Sequence, residues 1–595
     1  MAWRMSLGVD ADEQAELPGT GEVLRRTAAM LGPYRTRTLL AASMLIAWTL
    51  LTLAGPLLVR RAIDLGLREG DRAELWRSVV LYVVAACGAY VTYRLSIRNL
   101  ANVGEGFLRD LRNQAFRRLQ SQSLSFYDRM NSGVVVSRMT SDIDSLQDLV
   151  QFGLLMFVSA GLLLILSTIV LATLSLELLL LCLLVAPIVA AATVKFQRDS
   201  NRAYLAVRDS VGSTLHSLQE GISGVRIVQA FAREEIEAGR FAATNRRLYE
   251  THMDSVRVAA WYLPIVEAAG ALATAITLGV GGWWVATGRI TLGTVAAFVL
   301  ILQSLLGPVQ QLSQLLNLVQ SANASLAKVF GLMDEPVEVT ERADPVELNR
   351  SGRIELDGVG FRYGDGPAVL AGIDLTITEG ERLALVGPTG AGKSTVAKLV
   401  ARFYDATDGS VRIGGTDVRS ASLASLRRQV VVVPQEGYLF TGSVRDNIRL
   451  ARPDASDDDV VAAVDRIGAT GIFDGLVDGL DTEVQERGSR LSAGERQIVS
   501  LARAALVDPA VLILDEATSS VDPGTESLVE GAMDSLMRAR TVIVIAHRLS
   551  TAARCDRVGV VLGGRLVELG SHDELVAAGG HYAGLFDAWS RTAPA

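Results

Sequence analysis

Gly387-Pro388-Thr389-Gly390-Ala391-Gly392-Lys393-Ser394-Thr395 decides the fold of the C-terminal half of this chain. It directly follows Arg382–Val386, a short apolar run that predicts a buried strand. The glycines let consecutive backbone N–H groups converge on phosphate oxygens, and a helix starting here adds positive potential. Lys393 would reach the β- and γ-phosphates, and the Ser394 hydroxyl can hold Mg²⁺. The stretch therefore predicts a nucleotide phosphate-binding loop.

A second apolar run, Val511-Leu512-Ile513-Leu514-Asp515-Glu516, ends in two carboxylates. Asp515 can bind Mg²⁺ through water, and Glu516 is placed to polarise the attacking water in phosphoryl transfer. Similar short runs occur at 429–433 and 541–545, as expected for strands buried on both faces. Because α/β sheets place their sites at the carboxyl ends of strands, these segments predict one ATP site with Mg²⁺.

The N-terminal half has a different composition. The chain has 595 residues, is 49% hydrophobic and has a mean hydropathy of +0.30, with the apolar excess lying before about residue 315. A net charge of −8 without a dense basic block argues against a nucleic-acid partner. Three cysteines without a Cys-x-x-Cys spacing predict neither a disulfide framework nor a cysteine metal site.

Six apolar stretches are about as long as a bilayer requires, which is roughly 20 residues. They span residues 38–59, 78–95, 149–171, 174–194, 258–280 and 291–312. The segments 98–148 and 195–257 are long, polar and rich in arginine, as expected of cytoplasmic loops. Their helical periodicity at 103–122 and 203–241 predicts that the spans continue into the cytoplasm. Six spans place both termini on the same side of the membrane, and the arginine-rich loops predict that this side is the cytoplasm. The sequence therefore predicts a multi-pass protein of the cell membrane.

These features predict four parts in the chain. Residues 1–30 form an N-terminal amphipathic segment, with no short apolar core of the kind a cleaved signal peptide has. Residues 31–335 form the transmembrane domain, and residues 336–352 form a linker that begins at a proline. Residues 353–595 form the nucleotide-binding domain.

Further short segments of the C-terminal half follow one another in a characteristic order. They are Tyr363 in an aromatic-rich segment, Gln435 after a strand, the stretch Leu491-Ser492-Ala493-Gly494-Glu495-Arg496-Gln497, Asp522 after two serines, and His547 after a strand. Together with the phosphate-binding loop and the two carboxylates, they resemble the motif series of the ABC ATPases. The resemblance implies that Tyr363 stacks on adenine and that Gln435 contacts Mg²⁺. It also implies that His547 contacts the γ-phosphate and acts with Glu516 in hydrolysis.

The N-terminal half extends this resemblance to nearly the whole chain. Phe126-Tyr127-Asp128 with the residues up to 142, and Glu220-Gly221 with the residues up to 231, are similar to the two intracellular coupling regions of ABC exporters. The chain thus resembles a half-size ABC exporter of the multidrug or lipid type. This implies a fold of a membrane α-helical bundle plus an α/β P-loop ABC ATPase domain. It also implies two subunits that sandwich ATP between the phosphate loop of one and the signature segment of the other, where Ser492, Gly494, Glu495 and Asp522 would contact nucleotide.

The signature segment departs from the usual Leu-Ser-Gly-Gly-Gln of the family at two positions. Ala493 adds a methyl group where the backbone should approach the γ-phosphate, and Glu495 adds a carboxylate. Both changes weaken the expected contact with a partner's ATP, or they are variants without consequence. Because Glu516 and His547 are intact, we expect a heterodimer with a second half-transporter, and a homodimer is the alternative.

The resemblance implies ATP-driven export of a hydrophobic or amphipathic compound across the lipid bilayer by alternating access. An importer built on the exporter fold, as in some siderophore systems, and a nucleotide-gated channel or regulator are the alternatives. Glu267, at apparent membrane depth after Pro264, would handle a cation, pair with another helix or lie near the interface.

Overall fold

The computed structural model describes residues 20–149, 153–435, 437–485, 488–515, 523–546 and 548–591. The chain divides into two compact units. The first contains residues up to Gln120 and Ser132–Glu335, and the second contains Ser121–Asn131 and Pro336–Ala595. A short segment from the N-terminal half therefore packs with the C-terminal half.

The first unit is helical. Its helices are α1 (Thr20–Met30), α2 (Arg35–Arg61), α3 (Arg72–Gln120), α5 (Ser132–Ser137), α6 (Ile143–Asp148), α7 (Leu154–Leu174), α8 (Leu176–Leu183), α9 (Ala186–Ser223), α10 (Val225–Ala230), α11 (Glu234–Ala286), α12 (Leu292–Ser304) and α13 (Leu306–Asp334). Helix α4 (Leu124–Arg129) lies between α3 and α5 in the chain but belongs to the second unit. Gly32–Tyr34 forms a 3-10 turn, and π-helical turns extend α2 over Ala62–Arg68 and join α5 to α6 over Arg138–Asp142. At 1.5 Å per residue, the 49 residues of α3 and the 53 of α11 measure about 74 and 80 Å, more than twice the hydrocarbon thickness of a bilayer. The predicted extension of the spans beyond the membrane is confirmed for these two helices.

Among the described residues, four helices are long and apolar enough to cross a membrane. A fifth span results if α8 and α9, which are bent by 41° at the break between them, count as one. The predicted sixth span corresponds to α12, which has 13 residues and is followed by α13 after a break at Leu305. Six spans therefore remain a prediction.

Two further segments of the first unit with a predicted helical pattern are helical in the structure. The helical periodicity predicted over 203–241 corresponds to the end of α9 at Ser223, the short helix α10 and the start of α11 at Glu234. Of the predicted amphipathic segment 1–30, residues 1–19 lie outside the described residues, and residues 20–30 form helix α1. Its Val23 is buried, and the Arg26 guanidinium lies 4.4 Å from the Phe330 ring centroid on α13 and pairs with Asp334.

The second unit contains all the strands of the described chain. They are β1 (Ile354–Arg362), β2 (Ala368–Ile377), β3 (Arg382–Val386), β4 (Asp408–Ile413), β5 (Thr416–Asp417), β6 (Val430–Val433), β7 (Gly442–Ser443), β8 (Glu483–Val484), β9 (Val511–Asp515), β10 (Thr541–Ile545), β11 (Arg557–Leu562) and β12 (Arg565–Gly570). Its helices after α4 are α14 (Lys393–Val400), α15 (Leu423–Gln429), α16 (Val444–Arg449), α17 (Asp457–Arg466), α18 (Thr470–Asp474), α19 (Ala493–Val507), α20 (Pro523–Met537), α21 (Leu549–Ala553), α22 (His572–Ala577) and α23 (His581–Ser590), with a 3-10 turn at Gly479–Asp481. The four strands predicted from short apolar runs are confirmed as β3, β6, β9 and β10.

A six-stranded sheet in the order β12-β11-β3-β10-β9-β6 forms the centre of this unit. Strand β10 pairs in parallel with both β3 and β9, and only β12 is antiparallel to its neighbour. Alternate residues of these strands enter different cores: Leu512 and Val544 face one, and Ile513 and Ile543 face the other. Burial on both faces explains why these strands are continuous apolar runs rather than alternating ones. A separate antiparallel sheet has the order β2-β1-β4-β5, and β7 pairs with β8.

Candidate nucleotide site

The phosphate-binding loop connects β3 to α14, where the sequence predicts it. Gly387, Gly390 and Gly392 all have positive φ, at +144°, +82° and +108°. A Cβ on Gly387 would lie 2.1 Å from the Val561 carbonyl oxygen, so no side chain fits there. The loop therefore needs glycine both for its backbone conformation and for its close approach to β11.

Lys393, the first residue of α14, is 5% exposed. Its ammonium donates to the carbonyl oxygens of Gly387 at 2.7 Å and of Pro388 at 3.1 Å, which holds the charge against the loop. Burial lowers the pKa of Lys393, and the nearby carboxylate of Asp515 opposes this effect. The structure thus brings Lys393 and Asp515 together, although they are far apart in the sequence.

Parallel pairing explains this proximity. Ile545 of β10 lies opposite Asp515 of β9 on one side and opposite Leu385 of β3 on the other. Asp515 and the start of the phosphate-binding loop are therefore at the same edge of the sheet, two strand spacings or about 10 Å apart. Gln435 follows the end of β6, whose Val433 pairs with Leu514, and it is exposed near the same edge. Ser394 is exposed, and Thr389 and Ala391 complete the loop between the glycines.

Glu516, Asp522 and His547 lie outside the described residues. Their predicted roles depend on their sequence positions next to the carboxyl ends of β9 and β10.

Tyr363, the predicted adenine-stacking residue, is 37% exposed and belongs to an aromatic cluster. Its hydroxyl shares a hydrogen bond of 3.1 Å with the Thr395 hydroxyl on α14. Its ring meets the ring of Tyr404 edge-on, with centroids 5.2 Å apart. A cavity of about 610 Å³ lies against both tyrosines. Tyr363 is thereby linked to the phosphate-binding loop on one side and to Tyr404 on the other.

One group of residues beside this cluster was not predicted from the sequence. Asp128 on α4 accepts hydrogen bonds at one carboxylate oxygen from the Tyr404 hydroxyl at 2.6 Å and from the Lys398 ammonium at 2.9 Å. Burial alone would raise the pKa of Asp128, but these two hydrogen bonds outweigh it, and the pKa lies below its ordinary value. The Lys398 ammonium also lies 5.7 Å from the ring centroid of Tyr363. The motif around Asp128 was visible in the sequence, but its partners were not.

The signature segment forms the start of α19, and its side chains cap this helix in an arrangement not predicted from the sequence. Ser492 is the N-cap residue, and its hydroxyl accepts from the Glu495 backbone N–H at 3.2 Å. The Glu495 carboxylate in turn accepts from the Ser492 backbone N–H at 2.6 Å, completing a capping box. Gly494 is buried, whereas Ser492 is exposed. Glu495 therefore places its negative charge at the N-terminus of α19, where it stabilises the helix.

Taken together, the fold and the site define an ATP-hydrolysing membrane transporter, and comparison with known proteins identifies its family. The ABC transporter transmembrane region matches residues 38–309, and the ABC transporter domain matches residues 370–519. An uncharacterized ABC transporter ATP-binding protein of Bacillus subtilis, YknV, is 36% identical over 98% of this chain and 97% of its own length. The ATP-dependent lipid A-core flippase of Syntrophus aciditrophicus is 35% identical over 94% of this chain and 93% of its own. The structure of a bacterial Atm1-family ABC exporter with ATP bound is 28% identical, with a TM-score of 0.78 over 94% of this chain and 99% of that one.

The chain therefore belongs to the ABC transporters and has the half-size exporter arrangement, with one membrane region fused to one ATPase domain. The predicted fold class, a membrane helical bundle plus an α/β ATPase domain, is confirmed. The protein is a multi-pass membrane protein that binds ATP, couples ATP hydrolysis to transport and has its ATPase domain in the cytoplasm.

The contacts of Asp128 predict a measurable role in this ATPase. In Asp128→Asn the ion pair with Lys398 is lost, whereas Tyr404→Phe loses only a hydrogen bond and keeps the ring. We expect Asp128→Asn and Tyr404→Phe each to lower the stability of the ATPase unit by about 1 kcal/mol, because the Asp128 and Lys398 side chains are partly exposed and water weakens their ion pair. Because α4 lies in the segment that resembles a coupling region, we also expect both variants to reduce substrate stimulation of ATPase activity more than basal activity.

The matched control is Asp365→Asn, which removes an exposed carboxylate from the same cavity. Thermal unfolding and the ratio of stimulated to basal ATPase activity are the measurements. Equal effects of the control and of Asp128→Asn would show that the Asp128 contacts have no special role.

Proposed function

We propose that the chain is an ATP-driven exporter subunit that moves a hydrophobic or amphipathic compound, such as a drug or a lipid, across the membrane by alternating access. The observation that carries the proposal is the proximity of the Lys393 ammonium, held at a glycine-rich loop, to the Asp515 carboxylate, in a chain that also has helices long and apolar enough to cross a membrane. Similarity to a lipid A-core flippase and to an Atm1-family exporter supports the direction and the substrate class. The test is ATP-driven accumulation of an amphipathic dye in inverted membrane vesicles, with Glu516→Gln as the inactive reference.

The proposed site uses residues from several elements. Tyr363 stacks on adenine, and the 387–395 loop binds the phosphates. Ser394, Gln435 and Asp515 hold Mg²⁺, since hydroxyl, amide and carboxylate oxygens are the ligands this ion prefers. Glu516 orients the attacking water, and His547 contacts the γ-phosphate. From the facing subunit, the signature segment and Asp522 complete the sandwich.

The partner in this proposal is a different half-transporter. The carboxylate of Glu495 already occupies the N-terminus of α19, whose positive potential would otherwise attract the γ-phosphate of the partner's ATP. Two negative groups near one helix N-terminus repel each other, so this signature contributes weakly to the opposite site. No such charge repulsion arises at the ATP site formed by this chain's own phosphate-binding loop.

Restoring the usual family residues in the signature segment tests whether this segment contributes weakly to the ATP site of the partner. Glutamine can replace glutamate in a capping box, so Glu495→Gln removes the charge and keeps the helix start. We expect the purified chain alone to have low ATPase activity, and Ala493→Gly with Glu495→Gln to raise it by about tenfold, which corresponds to one restored charge-assisted contact of about 1.4 kcal/mol.

The control is Glu495→Ala, which removes the charge together with the Glu495 half of the capping box and is expected to lower stability by up to about 1 kcal/mol. Robust substrate-stimulated ATPase activity in a homodimer of the unaltered chain would contradict the heterodimer.

A further inference from the structure

A basic groove lies on α9 at the inner end of its apolar segment. Seven residues line a space of about 700 Å³: Ala190, Ala191, Val194, Lys195, Arg198, Asp199 and Arg202. Ala191, Lys195, Arg198 and Arg202 are spaced by four, three and four residues and so lie along one helix face. The groove is apolar toward the membrane and basic toward the cytoplasm.

The cations of this groove carry uncompensated charge. Lys195, Arg198 and Arg202 are exposed, and in the described ranges none of them forms an ion pair or a side-chain hydrogen bond. Asp199 is the one carboxylate in the groove lining. On the facing helix α11, Asp254 is paired with Arg257 of its own helix at 2.5 Å. Three positive charges against one negative charge therefore face outward.

The other side of α9 fixes the groove in place. The rings of Phe196 and Tyr262 stack with centroids 4.1 Å apart and planes 11° apart. The Thr193 hydroxyl shares a hydrogen bond of 3.2 Å with the Tyr262 hydroxyl. At the edge of the groove itself, the Lys195 ammonium lies 4.8 Å from the Trp261 ring centroid. These contacts lock α9 against α11, so the basic face is presented on a rigid pair of helices rather than on a loose loop.

We propose that this groove binds the phosphate headgroup of an acyl-chain lipid from the cytoplasmic leaflet. Guanidinium groups bind phosphate in a bidentate way, and Arg198 and Arg202 are one helical turn apart. The small side chains of Ala190 and Ala191 with Val194 leave room for acyl chains directly above the basic residues. Basic groups at the cytoplasmic membrane surface attract anionic lipids, and a tryptophan at the same level is typical of a membrane interface.

The experiment places the full-length chain, without nucleotide, in lipid bilayer discs of phosphatidylcholine. Trace spin-labelled phosphatidylglycerol or spin-labelled phosphatidylcholine is added, and the fraction of immobilised label gives their relative association. We expect the unaltered chain to prefer phosphatidylglycerol. Combined Lys195→Gln, Arg198→Gln and Arg202→Gln is expected to reduce that preference by about tenfold or more.

The matched control removes three exposed cations of the same unit that lie outside the groove, by Arg208→Gln, Arg233→Gln and Arg247→Gln. We expect it to keep the lipid preference within about twofold, because charges away from the bilayer are screened by salt. A preference that the groove substitutions leave unchanged, or that the control abolishes equally, overturns the proposal.

Two further outcomes separate the lipid from other occupants. Glycerol 3-phosphate has the phosphate without acyl chains, and its displacement of the labelled lipid at equal concentration would show that the groove is a site for a soluble phosphate compound. Loss of dimer with unchanged lipid preference would show that the groove faces carboxylates of the partner subunit. Either result overturns the lipid site, and neither bears on ATP-driven export, because no nucleotide is present.

Discussion

Glu516→Gln is expected to leave ATP binding intact and to reduce ATP hydrolysis by about 10²–10⁴-fold, the usual contribution of a positioned general base. Glutamine has nearly the same shape as glutamate, but it cannot accept the proton of the attacking water. Binding is expected to persist because it depends on the phosphate-binding loop and on Tyr363. The measurements are ATPase rate and equilibrium binding of ATP by the same preparation, purified together with the partner subunit.

Glu379→Gln is the matched control, since Glu379 is an exposed carboxylate that precedes β3, at the opposite end of the strand from the phosphate-binding loop. We expect it to keep full activity. If Glu516→Gln hydrolysed ATP as fast as the control, the assignment of Glu516 would be wrong.

Lys393→Ala is expected to weaken ATP binding itself, the step that precedes hydrolysis. The buried ammonium is held at the phosphate-binding loop by Gly387 and Pro388, so it is positioned before ATP arrives. A charge-assisted hydrogen bond contributes about 1.5–3 kcal/mol, which corresponds to a loss of ATP affinity of about tenfold or more. Binding is measured by titration with a fluorescent ATP analogue.

Arginine at the same position provides a control for charge. Lys393→Arg keeps the positive charge but replaces a compact ammonium by a planar fork that does not fit between the two carbonyl oxygens. We expect it to bind ATP more weakly than the unaltered chain and more tightly than Lys393→Ala. Equal ATP affinity in Lys393→Ala and in the unaltered chain would remove Lys393 from the site.

The nucleotide-binding fold was readable from the sequence because its determinants are local. The glycines of the 387–395 loop are dictated by backbone conformation, and the runs at β3, β9 and β10 are apolar because both their faces are buried. The order of the strands was not readable, since nothing local states that β10 lies between β3 and β9. That order is what places Asp515 beside Lys393.

The contacts of Asp128 and of Glu495 show two reasons why parts of the candidate site could not be predicted from the sequence. Asp128 meets Lys398 and Tyr404 across more than 260 positions of sequence, and such a contact has no local signature. Glu495 did have one, because serine followed three residues later by glutamate is a capping box. The same residues resemble a signature segment, which implies nucleotide contact rather than a helix start. The helical periodicity over 203–241 likewise persists across Gly224, where α9 has ended, so the pattern alone does not locate the end of the helix.

The most direct measurement is ATP-dependent accumulation of an amphipathic fluorescent dye in inverted membrane vesicles from cells that carry the chain at its normal level. We compare vesicles that contain the unaltered chain with vesicles from cells in which the gene for this chain carries Glu516→Gln. Any natural partner subunit is then present in both. The account predicts accumulation that requires ATP and is lost in Glu516→Gln. Equal accumulation in the two preparations, or ATP-driven loss of dye from vesicles with the unaltered chain, would contradict an exporter powered by this chain's own ATP site.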